Sequence, residues 1–306
     1  MGLPMALVDV DQALNGDWRV YEREVDVVRV QDPPLETWPQ LREAGFLPKP
    51  QVLLWRAQAR ASEEEFLAGL PRKDRYDIRV AYRNATASGL HITTEPLTVA
   101  TLTEFLELYE QQISRMRNGW AVAVEQRDRI LSEADTYCVV KVRTQDEVVG
   151  VCLNQDFPAG DEIRARFSAV TSTQRSDSLA RVLYWETLRE ARRRRRRWVS
   201  LGRDINLYGH VVNSGLFSFK SRLGFTAVPS QLAEPGSGSH QADRVVRFSE
   251  LSDPALLLSY SPARDENEAV ASPLWLNVFT ADPALGVRPY RGVDLAGTTV
   301  HEIKPA

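Results

Sequence analysis

Asn213-Ser-Gly-Leu-Phe-Ser-Phe-Lys-Ser-Arg-Leu-Gly-Phe225 runs without a break into Thr226-Ala-Val228. The first part reads as a short amphipathic helix and the second as a strand. Leu216, Phe219 and Leu223 recur at helical spacing, so they are expected to pack inward. Lys220 sits between them with its charge free to face a cleft. Gly224 supplies the left-handed residue that stops a helix, and Phe225 is the apolar residue expected just past such a stop.

Upstream of this segment the residues alternate with the two-residue period of strands. Thr136–Arg143 and Glu147–Leu153 flank Gln145-Asp146 and predict a hairpin, with a third strand over Ile163–Val170. A helix follows from about Ser178 to Arg195, then the strand Trp198–Gly202. Arg244–Phe248 is a last strand after a Pro/Gly/Ser-rich loop, Pro229–Gln241. The order from 136 to 248 is thus β-β-β-α-β-α-β-β. Before it lie three predicted helices: Ser62–Leu70, opened by a Ser62/Glu65 capping box, Arg72 to about Ala87, and about Val99 to Met116. The first 61 residues mix strand-like runs (Val25–Val30, Gln51–Arg56) with Pro-bearing connectors. Leu41–Pro48, a helix end at Gly45 feeding a strand, weakly echoes 213–228. After 248 one clear strand-like run, Leu274–Phe279, stands among Pro-containing loops. Three regions are therefore expected: 1–61, 62–248 and 249–306.

With 306 residues, 43% of them hydrophobic, and seven Trp, the chain has ample material for a folded core. A net charge of −3 argues against a surface that coats nucleic acid as a whole. The charge is unevenly placed, however, and between Arg189 and Arg222 basic residues far outnumber Glu190 and Asp204. Two cysteines, Cys138 and Cys152, fall on adjacent predicted strands and read as buried thiols of a reducing compartment. The four histidines are scattered without metal-ligand spacing. No apolar run approaches the about 20 residues that span a bilayer, and no charged-then-apolar leader opens the chain. A cytoplasmic, metal-free protein with no membrane association is expected.

Three basic features need weighing. Arg75, Arg79 and Arg83 form one stripe on the second helix, at i, i+4 and i+8. The run Arg192–Arg197 closes the fourth predicted helix, where six cations offset the negative end of the helix dipole while their stems cover apolar surface. It reads first as a solvated face and second as a contact for phosphates. Thr173-Gln-Arg-Ser-Asp-Ser-Leu-Ala180 opens that same helix, whose free amides can hold an anion or be capped by Asp177 or Ser178.

The helix, Leu-Gly-Phe stop and strand at 213–228 resemble the closing elements of the GNAT acyltransferases, and the Phe219-Lys220 pair is similar to that of the Fem-type (FemAB-like) branch. The resemblance covers about 62–248 and is strongest over 163–228. It implies an α/β fold with a GNAT-like mixed central sheet flanked by helices, and a degenerate first GNAT-like half near the N-terminus. It also implies transfer of an acyl or aminoacyl group to the amine of a small molecule or peptide by direct attack, with no tightly bound cofactor. Arg175-x-x-Ser178-x-Ala180 is a degenerate form of the family's CoA-pyrophosphate turn, with serine replacing its first glycine. In such folds the strand Trp198–Gly202 splays from 163–170, and its exit residues Arg203, Asp204, Asn206 and Tyr208 look into the gap.

The resemblance assigns Lys220 to stabilising the oxyanion or donor phosphate, while Asp204, by its place at the strand exit, reads either as the acceptor of the attacking ammonium's proton or as a turn residue or partner for Arg203. Phe219, Arg175, Ser178, Arg203, Arg75 and Arg79 would meet the donor, and Tyr208 and Asn206 the acceptor. Two donors stay open. Aminoacyl-tRNA is favoured by the Phe-Lys pair and the basic segments 75–83 and 189–197. Acyl-CoA is favoured by the overall acidity and by the lack of the helical-hairpin arm of the cell-wall Fem enzymes. A non-catalytic binding module on the same fold is the third reading.

Overall fold

The computed structural model describes residues 2–116, 119–171, 177–282, 284–290, 292 and 294–303. In chain order the elements are β1 (Met5–Val8), α1 (Val10–Asn15), β2 (Val27–Gln31), α2 (Trp38–Glu43), β3 (Leu47–Pro50), β4 (Val52–Gln58), α3 (Glu63–Ala68), α4 (Arg72–Ala87), β5 (His91–Pro96) and α5 (Val99–Ile113). Next come α6 (Val122–Glu125), α7 (Arg127–Ser132), β6 (Tyr137–Arg143), β7 (Val148–Phe157), β8 (Glu162–Val170), α8 (Asp177–Arg193), β9 (Trp198–Ile205), α9 (Ser214–Arg222) and β10 (Thr226–Pro229). The chain closes with β11 (His240–Val245), β12 (Ala255–Ser259), α10 (Glu266–Ala271), β13 (Trp275–Thr280) and β14 (Gly297–Glu302). The protein is a mixed α/β fold, as expected, and the order β6-β7-β8-α8-β9-α9-β10-β11 is the one read from the sequence.

The chain divides into two compact units, Met1–Trp55 with Arg203–Ala306, and Arg56–Gly202. These limits differ from the expected boundaries at 62 and 249. The chain changes units inside strands β4 and β9 rather than in polar linkers, so no shift in composition marks the passage.

In the Arg56–Gly202 unit the strand order is β9-β8-β7-β6-β5. β5, β6, β7 and β8 are antiparallel neighbours, and β8 and β9 run parallel. One face of this sheet carries α5 through a core of Leu102, Phe105, Tyr109, Val139, Val151 and Leu153. Each such side chain, fully buried, contributes about 1.5–3 kcal/mol. The β8–β9 pairing extends only over Glu162–Arg164 against Trp198–Ser200. β8 itself continues to Val170, paired with β7 as far as that residue. Past the parting, the Val170 N–H donates to the Gln112 side chain rather than to a strand, and Gly202 takes φ +76°. The Ser62 hydroxyl caps α3 by accepting from Glu65 N–H, whereas the Glu65 carboxylate reaches Ala61 N–H one residue before the cap.

The other unit contains a four-stranded sheet, β1-β2-β11-β3, and a three-stranded one, β12-β13-β14. β11 pairs antiparallel with both β2 and β3. The strand expected over 244–248 therefore starts earlier, at His240, and joins the N-terminal strands instead of following β10 in one sheet. Trp18, Val28, Leu41 and Phe46 pack one core of this unit. The tail beyond 249, expected to hold one strand, supplies three, and Leu257 and Phe279 pack with Val27 in a second core.

Candidate functional site

α9 is bounded as its sequence dictates. The Asn213 side chain accepts from Leu216 N–H at the start. At the end Gly224 takes φ +87°, with Gly224 N–H donating to Ser221 O and Phe225 N–H to Lys220 O. This pair of bonds is the Schellman motif, and Phe225 is fully buried beyond it. Of the three residues expected inside, Leu223 is buried, and the rest of the inward face differs. Phe217, Lys220 and Ser221 are buried, while Leu216 and Phe219 are only half-buried. The helix is rotated so that the residues at i, i+3 and i+4 from Phe217 point in, and one of them is the lysine.

A buried lysine requires a partner, and β9 provides it. Lys220 Nζ donates to Asp204 Oδ1 at 2.8 Å and to Oδ2 at 2.9 Å. Trp55, from β4, donates its indole N–H to Asp204 Oδ2 at 2.7 Å, and the Tyr208 hydroxyl donates to the same oxygen at 3.0 Å. Phe217 packs edge-on against Trp55 and Tyr208, with ring centroids 5.2 and 5.4 Å apart. Lys220 is 4% exposed, Asp204 7% and Tyr208 0%. Burial holds the Lys220 ammonium below the ordinary lysine range against the opposing pull of Asp204. Burial, and then the Asp204 charge, push the Tyr208 phenol well above its usual range. The result is an ion pair with its remaining acceptor capacity filled, the condition under which buried charges are tolerated.

The expected site residues fall into three groups. Lys220, Asp204 and Tyr208 come together, but as a closed network rather than as groups facing open space. Asp204, expected as a proton acceptor, already accepts from Lys220, Trp55 and Tyr208. Tyr208, expected at the acceptor, spends its hydroxyl on Asp204. Asn206 is likewise turned inward. Its amide donates to Pro50 O and Leu258 O at 2.9 and 2.7 Å, and its carbonyl accepts from Leu258 N–H at 2.9 Å. It fastens the exit of β9 to β3 and β12 instead of meeting an acceptor. Arg203 is exposed and pairs with Glu234.

The expected donor contacts lie elsewhere. Arg75 is half-buried and Arg79 exposed on α4, in the Arg56–Gly202 unit. Ser178 belongs to the first turn of α8, and Arg175 lies outside the described residues. Trp55 and Phe217 were not anticipated. Phe217 carried a signal, since it stands three residues before Lys220 on the same face. Trp55 is remote in sequence and gave none.

Among the described residues no group of three His, Cys, Asp or Glu converges as a metal site. No described helix is long and apolar enough to cross a membrane. Cys138 and Cys152 are buried, unpaired thiols, each pushed up to about 12 by burial.

No protein-family model matches the sequence, and no curated protein matches it. Solved structures do resemble the chain. They include FemX, at 13% identity over 79% of this chain and 80% of that one, with a TM-score of 0.46. Another is the C-terminal domain of a putative lysylphosphatidylglycerol synthetase from Agrobacterium fabrum, at 10% identity over 79% of each chain and 0.44. A third is a GCN5-related N-acetyltransferase from Anabaena variabilis, at 14% identity over 78% of this chain and 50% of that one, with 0.32.

Proposed function

We propose that this protein is an acyltransferase that moves an acyl or aminoacyl group from an activated donor onto an amine by direct attack. The observation that carries the reading is the parting of β8 and β9 after three residue pairs within the order β-β-β-α-β-α-β. Two parallel neighbours that separate leave the backbone N–H and C=O groups along one edge of β8 without strand partners, and an extended donor chain can take those bonds.

The amine attacks the donor carbonyl without a covalent enzyme intermediate, since no nucleophile and base are paired in the described site. Catalysis then rests on positioning. Lys220 and Asp204 neutralise each other, with Trp55 and Tyr208 orienting the carboxylate. Both charged groups are enclosed, so they act through the β9 exit that they fix. The proton of the attacking ammonium passes to water or to the acceptor's own groups rather than to Asp204.

Aminoacyl-tRNA is the donor we favour, because cationic residues are concentrated on α4 and at the end of α8 in a chain that is acidic overall. Acyl-CoA is the second donor. A non-catalytic binding module is favoured by one observation alone, the saturation of Asp204 by its own neighbours. The donors are separated by binding assays of charged tRNA and of acyl-CoA to the purified protein over a salt series. Binding of charged tRNA that weakens with salt, with acyl-CoA inert, supports the RNA donor. Binding of acyl-CoA alone transfers the proposal to the second donor, and binding of neither defeats it.

A further inference from the structure

The six-arginine run does not act as one patch. Arg193 pairs with Glu190, and Arg194 with Glu190 and Asp156. Arg196 takes Asp156 with two hydrogen bonds, at 2.7 and 3.1 Å. These three charges are spent within the fold. Arg192, Arg195 and Arg197, together with the Asp156-bound Arg196, line a cleft of about 440 Å³ whose other wall includes Ala59, Arg60 and Glu65. The walls are tied together: Ala59 N–H donates to Arg197 O at 2.8 Å, and Arg192 Nη1 donates to Ala59 O at 2.9 Å.

The charges facing this cleft are poorly neutralised. The Arg195 and Arg197 side chains are exposed and form no ion pair among the described residues, and Asp161 accepts only from the Arg197 backbone N–H, at 3.1 Å. Arg60 and Glu65 approach only to 4.0 Å, with both side chains about half exposed. Arg192 Nη2 is buried and makes no hydrogen bond, with the Glu63 carboxylate 3.5 Å away. Arg197 and Arg56 flank the Trp198 ring, at 5.2 and 4.0 Å from its centroid. Against these guanidinium charges stand Glu63 beside Arg192, Glu162 paired with Arg56 at 3.1 Å, Glu65, and the negative end of the α8 dipole, equivalent to about half a charge.

The backbone supplies a second, independent observation. Arg60 and Arg195 hold left-handed conformations, φ +54° and +57°. Arg195 stands just past α8, where Arg196 N–H reaches back to Ala191 O and where glycine is the residue that fits without strain. Arginine at both positions carries a conformational cost, and both side chains line the same cleft.

We propose that this cleft binds closely spaced phosphates, presented either by a free polyphosphate such as that of a nucleotide or by the backbone of an RNA strand. Guanidinium groups match phosphate oxygens with paired N–H donors, and the volume suits a ligand of nucleotide size. The proposal does not depend on the transfer reading above.

The test exploits the two left-handed positions. Arg60→Gly/Arg195→Gly removes two cleft charges while relieving both backbones, so its unfolding midpoint should match or exceed that of the unaltered protein. Two probes are titrated at 50 mM salt, inorganic triphosphate and a short RNA duplex. Binding of triphosphate identifies the free-polyphosphate source, binding of RNA alone the polymer source, and either supports the site. For the probe that binds, the double variant should weaken affinity by on the order of tenfold per arginine removed. For RNA it should also lower the salt slope by about two. Arg127→Gln/Arg143→Gln, which removes two exposed arginines outside the cleft, should retain affinity within about twofold. Arg197→Gln repeats the test should the double variant lose its fold. The proposal is overturned if neither probe binds, if the cleft variants bind as tightly as the unaltered protein, or if the control loses as much affinity as they do.

Discussion

Replacing Lys220 with methionine removes one charge from a pair in which both members are enclosed. Asp204 loses the two bonds at 2.8 and 2.9 Å and keeps those from Trp55 and Tyr208. Breaking a buried pair costs about 3–5 kcal/mol because a charge is left uncompensated. The two retained donors place this site near the lower end, ~3 kcal/mol. For a protein whose folded state is favoured by about 5–15 kcal/mol, that is a large fraction. Urea unfolding followed by tryptophan fluorescence at pH 7 reads it as a lowered midpoint with an unchanged slope. Lys220→Met/Asp204→Leu, which replaces the pair by apolar groups of similar volume, should recover most of the loss. A single variant within about 1 kcal/mol of the unaltered protein would refute the enclosed pair, as would a double variant no better than the single one.

Three further outcomes follow from the geometry. Asn206→Ala leaves Pro50 O and Leu258 N–H and C=O without their partner, which should destabilise the protein by about 2–4 kcal/mol in the same unfolding assay; a change under about 0.5 kcal/mol would contradict the clamp. Lys49 is fully buried beside Asp243 and Gln241, and burial lowers its ammonium to about 8 from an ordinary 10.5 despite Asp243. Between those values the unfolded chain holds the proton that the folded one has released, so stability should rise with pH above about 8. Asp243 and Arg29 are the charged groups facing it, and Lys49→Met should reduce the rise when unfolding is compared at pH 7.5 and 9.5 in otherwise equal buffers, the enclosed Lys220 contributing with the same sign. Cys138 and Cys152, buried and held as neutral thiols, should resist a thiol reagent at pH 8 in the folded protein and react once it is unfolded; prompt labelling of the folded chain would show the strands opening.

Local signals in the sequence were sufficient wherever neighbours in sequence decide the structure. The Gly224 stop, the α4 helix over Arg72–Ala87 and the hairpin of β6 and β7 all lie where the pattern puts them. Short strands at the margins were not legible. β1, β3, β12 and β14 have four to six residues each, too few for a period-two pattern to stand out, and they exist because β2, β11 and β13 pair with them.

The site was legible in part for the same reason. Helical spacing put Lys220 near an apolar face, but which of Phe217 and Phe219, about 200° apart around the axis, shares that face depends on how the helix is rotated. That rotation is set by Trp55 and Asp204, which are distant in the chain. Asn206 reads as a polar loop residue until Pro50 and Leu258 are seen to offer their backbone groups.

Amine acylation by the purified protein is the decisive measurement. Charged tRNA and acyl-CoA, each labelled in the transferable group, are incubated with a panel of small amines and short peptides, and label is followed into the amine. Label should pass to the amine from one donor class, at a rate proportional to protein and greatly reduced in Lys220→Met at a temperature where that variant remains folded. Absence of transfer from both donors, or transfer unaffected by the loss of Lys220, would contradict the proposed function.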